Sequence, residues 1–137
     1  MKGELPGERG YTMRIVRSVQ SKVCVDGSLL KEFLLDEPLN GEFLTFLKHF
    51  GTVRFLPRMK MPYFSFEKED FISIKGFVGD PVVEVRYRKD FQDLTLDYFH
   101  LLLYYFREGQ SGIEKLHGIG LTIQKKIDVR QRQDQEK

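Results

Sequence analysis

The segment Phe91–Arg107 constrains the fold most, because its apolar residues recur with helical spacing over an unusually wide surface. Phe99, Leu103 and Phe106 lie beside a main apolar stripe. That stripe consists of Phe91, Leu94, Tyr98, Leu101, Leu102 and Tyr105. One sheet face can cover only a single stripe of a helix. The sequence therefore predicts that either a second layer of this chain or another chain covers the remaining side chains.

If another chain covers them, Phe99, Leu103 and Phe106 form a protein interface. A surplus apolar patch on a soluble domain is typical of a partner surface. A symmetric homodimer is the simplest way to bury such a patch. We therefore expect a protein partner or a homo-oligomer.

Alternation with a period of two predicts strands before this helix. The predicted strands are Arg14–Val25, Thr52–Leu56, Tyr63–Phe66, Phe71–Val78 and Val82–Arg88. Their short connections and polar outer sides favour antiparallel hairpins. Two short helices are predicted after the first strand. One begins after the turn at Asp26-Gly27, and Asn40 caps the other.

The predicted fold class is α+β, with helices packed on an antiparallel sheet of four to five strands. The predicted element order is β-α-α-β-β-β-β-α-α-α. Residues 13–130 form one domain, and residues 109–130 are its C-terminal helical hairpin. We expect residues 1–12 to be a flexible leader and residues 131–137 a flexible tail. A translation start at Met13 is as natural as one at Met1.

Composition excludes several classes of protein. The 137 residues include a single cysteine, Cys24, so no intramolecular disulfide can form. The most continuous apolar run, Tyr98–Phe106, has nine residues. A membrane-spanning helix needs roughly 20. No secretory signal peptide is visible, so we expect no membrane association and a cytoplasmic location.

No catalytic or metal-binding constellation can be identified in the sequence. His49, His100 and His117 lie on three separate predicted elements, and none has a ligand at a recognised spacing. Cys24 is most simply a packing residue. We expect no metal, no cofactor and no enzymatic activity. An enzyme of unrecognised type stays an alternative, because pockets can form from scattered residues.

A short C-terminal segment, residues 113–127, carries two glycines around an isoleucine, followed by two lysines. It resembles the helix-hairpin-helix motif of DNA repair and recombination proteins. The resemblance implies that Gly118, Ile119 and Gly120 form a hairpin whose amides approach a phosphate. It also implies that Lys125 and Lys126 meet the charge of the nucleic-acid backbone. The family prefers a small residue where this chain has Gln124.

A second basic stretch lies between residues 54 and 64. Its cations are Arg54, Arg58 and Lys60, and its apolar residues are Phe55, Met59, Met61, Tyr63 and Phe64. Cations beside aromatic rings can bind single strands by charge and stacking. Alternating phenylalanines are also what a sheet core requires. The sequence favours a non-catalytic protein-interaction or accessory domain, with nucleic-acid binding as the alternative.

Overall fold

The computed structural model describes residues 13–56, 60, 62–68, 71–108 and 110–135. These residues form six strands and three α-helices, with a 3-10 turn at Lys89–Phe91. The strands are β1 Ile15–Val23, β2 Leu29–Leu35, β3 Thr52–Leu56, β4 Tyr63–Lys68, β5 Ile72–Phe77 and β6 Val82–Tyr87. The helices are α1 Gly41–Leu47, α2 Gln92–Glu108 and α3 Gln110–Gln135. The predicted leader, residues 1–12, lies outside the described residues, and the predicted tail begins within α3.

The strands form one open sheet in the order β1-β2-β6-β5-β4-β3, and all neighbouring strands are antiparallel. The predicted α+β class with an antiparallel sheet is confirmed, but the sheet has six strands and not four to five. Two hairpin turns contain a glycine at positive φ, Gly27 at 88° and Gly79 at 98°. Glycine adopts this backbone conformation without steric cost, which allows the chain to reverse at these points.

The additional strand is β2, whose residues were expected to form a helix. Leu29, Leu30, Phe33 and Leu34 do have helical spacing, which made the helix plausible. The Asp26-Gly27 turn instead leads back along β1, and β6 pairs with the other side of β2. Both Leu30 and Phe33 are buried. A strand covered on both faces has a nearly continuous apolar run, which the hydrophobic pattern cannot distinguish from a short helix.

Helix α1 follows its predicted pattern closely. The side-chain oxygen of Asn40 accepts a hydrogen bond from the backbone N–H of Phe43 at 2.9 Å, as an N-cap residue should. Phe43 and Leu47 are fully buried beneath the helix.

The C-terminal region contains one helix where two were predicted, so the element order departs from expectation there as well. Helix α3 continues through Gly118 and Gly120. It packs on α2 with Leu116, Ile123 and Ile127 buried on both sides of the glycines. Each glycine in a helix interior costs about 1 kcal/mol of stability. The packing of α3 against α2 over its length stabilises the helix by more than this cost.

Helix α2 lies at the centre of the core. The rings of Phe33 in β2 and Phe99 in α2 stack with centroids 5.3 Å apart. On the α1 side, Phe43 contacts Phe106 edge to face at 5.1 Å. Leu103 is 2% exposed, and Phe99 and Phe106 are fully buried. These three side chains, predicted as a partner surface, therefore belong to the core and present no surface to a partner.

Strand β1 is exposed along almost its whole length, whereas a half-buried strand was expected. Val16 is 57% exposed and Val23 is 70% exposed. The register with β2 shifts between Ile15 and Arg17 and again between Ser18 and Gln20. These shifts interrupt the alternation of the strand, and every residue of β1 after Ile15 is exposed, so neither face of the strand is covered.

Helix length and hydropathy give one further result. Among the described residues, no helix combines the length and the apolar character needed to span a bilayer.

Two neighbouring leucines test the placement of α2. Leu102 is fully buried, whereas Leu101 is only partly buried at the edge of the core. We expect Leu102→Ala to lower the free energy of unfolding by about 2–5 kcal/mol, through lost burial and a cavity. Leu101→Ala should cost clearly less, since its site can relax toward solvent. Chemical denaturation of both variants measures the difference. A larger loss for Leu101→Ala would contradict this helix orientation.

Candidate functional site

The described helices pack on one face of the sheet, and none of them covers the other face, which is open across most strands although Leu30 of β2 is buried there. Because strand residues alternate between faces, the buried residues Ile74, Val83 and Val85 point toward the helices. Their strand neighbours form the outer face. It carries Thr52, Arg54, Tyr63, Ser65, Glu67, Ser73, Lys75, Phe77, Glu84 and Arg86. We call this set the outer face.

The outer face is concave across β3 to β6. The depression has a volume of about 260 Å³ and is lined mainly by polar side chains. The lining consists of Thr52, Arg54, Ser65, Phe66, Glu67, Ser73, Lys75 and Arg86. The strand register places Arg54 opposite Ser65, Ser65 opposite Lys75, and Ser73 opposite Arg86. Cations and hydroxyl groups therefore alternate across neighbouring strands.

The cations of this depression lie near carboxylates of the described strands but are not paired with them. Within the described part of the chain, Arg54, Lys75 and Arg86 form no salt bridge. The Nε of Arg86 is buried and has no hydrogen-bond partner among the described residues. Buried polar groups are normally hydrogen-bonded, so this nitrogen is an exception among the described residues.

Acidic residues are present on the same face but are fewer within the depression. Of the described residues that line it, Glu67 is the only carboxylate, against three cations. Glu84 lies opposite Lys75 in the register, and Glu32 lies opposite Glu84. On this face β3 and β4 carry one cation, Arg54, against Glu67, and β5 and β6 carry Lys75 and Arg86 against Glu84. The excess of positive charge therefore lies on β5 and β6, and Glu32 offsets it toward β2.

Two aromatic rings extend the depression at one end. Tyr63 and Phe77 lie opposite each other on β4 and β5, with ring centroids 5.2 Å apart and planes inclined by 60°. Tyr63 is two residues from Ser65 along β4, and Phe77 is two residues from Lys75 along β5. Two residues of a strand span about 7 Å and lie on the same face. Partial burial raises the pKa of Tyr63, and nearby Glu84 raises it further while Arg86 lowers it. A neutral tyrosine hydroxyl can donate a hydrogen bond.

The residues predicted for nucleic-acid contact through a hairpin lie elsewhere. Gly118, Ile119 and Gly120 are in the interior of α3, where Gly118 is exposed and Gly120 is buried. Lys125 and Lys126 are exposed further along the same helix. Inside a continuous helix the amides of the glycines are not offered to a phosphate as they are in the helix-hairpin-helix motif. Contact of Lys125 and Lys126 with nucleic acid stays a prediction.

The second basic stretch is divided by the fold. Arg54 and Tyr63 reach the outer face, whereas Phe64 is fully buried in the core. Arg58, Met59 and Met61 lie outside the described residues. Sequence reasoning missed Lys75 and the two serines as site residues. The polar positions alternating with Ile72, Ile74 and Gly76 were the available signal, but alternation alone does not show that a face stays uncovered.

Metal-ligating side chains are scattered over the fold. Among the residues that the structure describes, no three His, Cys, Asp or Glu side chains are close enough together to hold a metal ion. Comparison with protein-family models, curated proteins and solved structures found no match to this chain.

A glycine substitution distinguishes the continuous helix from a hairpin. A Cβ at Gly118 would meet no atom within 4 Å, and its φ lies outside the left-handed region. Gly118→Ala should therefore raise the free energy of unfolding by about 0.5–1 kcal/mol, because alanine favours the helix. A hairpin that needs positive φ at this residue would be destabilised instead. Thermal and denaturant unfolding give the sign of the change.

Proposed function

We propose that this domain binds single-stranded nucleic acid on the outer face of its sheet. The observation that carries the proposal is the set of three cations without a salt bridge in a concave, helix-free part of that face. A polyanion fits this arrangement because each phosphate can pair with one cation and release its counterions. Arginine and lysine differ here, since Arg54 and Arg86 can each present two parallel N–H groups to a phosphate.

The aromatic pair favours a single strand over a duplex. Tyr63 and Phe77 are partly exposed at the end of the cationic depression. Single-stranded bases can leave their stack and lie on such rings, which a paired base in a duplex cannot do. The spacing of about 7 Å between successive same-face residues is close to the length of one extended nucleotide.

The hydroxyl groups supply further donors. Thr52, Ser65 and Ser73 lie between the cations on the outer face. Hydroxyls and arginine side chains commonly contact phosphate and sugar oxygens, which positions the strand without reading its sequence. We therefore expect weak dependence on base sequence.

Charge removal tests the site. Arg54→Gln/Lys75→Gln/Arg86→Gln should weaken binding of an oligo(U) RNA or oligo(dT) DNA, measured by fluorescence anisotropy at several salt concentrations. The slope of log affinity against log salt should fall by about 0.7 for each phosphate that no longer pairs with a cation. Glutamine keeps much of the side-chain length, so folding is checked by circular dichroism on the same samples.

The matched control removes three exposed cations from α3. Lys125→Gln/Lys126→Gln/Arg132→Gln changes the net charge equally. We expect it to leave most of the affinity and of the salt slope intact. Equal weakening by both triple variants would contradict a site on the sheet. Weakening by the α3 variant alone would move the site to the helix and favour the predicted role of Lys125 and Lys126.

Ring removal tests stacking separately. Tyr63→Leu/Phe77→Leu keeps the apolar cover of the strands but removes the flat surfaces. Affinity for the single strand should fall by about 1–3 kcal/mol for each stacked base, with little change in salt slope. Duplex DNA of the same length provides the comparison. Unchanged single-strand affinity in this variant, or tighter binding of the duplex by the wild type, would rule out base stacking on these rings.

A further inference from the structure

A cavity separate from the outer face lies on the helical side of the sheet. It has a volume of about 220 Å³ and is bordered by the end of α1, the end of β4, and helices α2 and α3. Its polar lining residues are His49, Lys68, Tyr98, His117 and Gln124. Pockets for drug-sized ligands are larger, about 300–1,000 Å³, so only a small molecule fits.

Tyr98 is the first sign that this cavity has a ligand. Its side chain is fully buried, yet its hydroxyl has no hydrogen-bond partner among the described residues. Burial raises the pKa of Tyr98, so the hydroxyl keeps its proton and can donate. Buried tyrosine hydroxyls usually have a partner, and Tyr98 is one of the residues that line this cavity.

Lys68 brings a positive charge to the same cavity. Its Nζ is 5.8 Å from the centroid of the Tyr98 ring and donates to the carbonyl oxygen of Phe50 at 3.4 Å. An ammonium has three donors, so this long hydrogen bond, its one bond to the part of the chain that the structure describes, leaves capacity for an acceptor. Partial burial lowers the pKa of Lys68, which shows that its charge is incompletely solvated. Among the described residues, no carboxylate lines the cavity.

Two neighbouring rings form a flat part of the lining. The rings of Phe50 and His117 lie 4.9 Å apart, with planes inclined by 42°. Gly120 contributes no side chain, and a Cβ there would lie 3.8 Å from Cε1 of Tyr98. The absence of a side chain at this helix position therefore helps to keep the space open.

We propose that this cavity binds a small organic carboxylate with a flat apolar group. The carboxylate lies within reach of the Lys68 ammonium and the Tyr98 hydroxyl. The apolar group packs against Phe50 and His117. This inference is independent of nucleic-acid binding on the outer face, because the two sites share no described lining residue.

The test probe is benzoate, which is titrated into the isotopically labelled full chain. Binding is followed by NMR through the amide resonances of His117 and Gly120. We expect saturable shifts at these residues. Benzamide has the same shape without the charge and should bind roughly tenfold more weakly, as should benzoate to Lys68→Met. Tyr98→Phe should also weaken benzoate binding without loss of stability, since the hydroxyl it removes has no partner among the described residues.

Two matched substitutions on α3 locate the site. Gly120→Leu should fill the cavity and abolish benzoate binding. Gly118 is exposed on the same helix, so Gly118→Leu should leave benzoate binding unchanged. The proposal is overturned by non-saturable shifts, by equal affinity for benzamide, or by unchanged binding in Gly120→Leu. Inorganic phosphate that binds as tightly as benzoate would refute the apolar half of the site.

Discussion

Aromatic packing around α2 is the interaction on which the rest of this structure depends. The helix meets the sheet through Phe33 and Phe99, and it meets α1 through Phe43 and Phe106. Helix α3 closes the third side with Leu116 and Ile127 buried. Large rings bury much surface per residue, so a short chain can complete a core with few side chains. The wide apolar surface of α2 is thus used within the chain, on three sides at once.

Because one face of the sheet supplies the core cluster, most of the other face has few packing demands, with Leu30 of β2 as a buried exception. Its residues need only tolerate a strand conformation, and cations such as Arg54 and Lys75 can lie there at little cost to folding. The same asymmetry places the two proposed sites on opposite sides of the sheet. One is a shallow charged surface suited to an extended polymer. The other is a small cavity bounded by elements that packing holds in place.

Much of the fold could be predicted from local patterns, as the strands Thr52–Leu56 and Val82–Tyr87 and the cap at Asn40 show. The errors arose where tertiary contacts decide between local alternatives. β2 is a strand because β1 and β6 flank it, and α3 passes through Gly118 because α2 supports it. The outer face was harder still to predict. Alternation separates Arg86 from its strand neighbour Val85, but whether a layer covers a face depends on where distant helices pack. The cavity beneath Gly120 combines four elements and had no sequence signature.

The irregular edge at β1 has a consequence for how this protein tolerates change. A straight, exposed strand rich in valine would offer a template for indefinite growth of the sheet from molecule to molecule. The two register shifts in β1 break that template, and Arg14, Arg17 and Lys22 repel a second copy of the same edge. Substitution of an exposed valine leaves this protection in place. Deletions that remove both register shifts would restore a regular strand, so the length of this segment matters more for this protection than the identity of any one valine: such a chain risks aggregation although its core is intact.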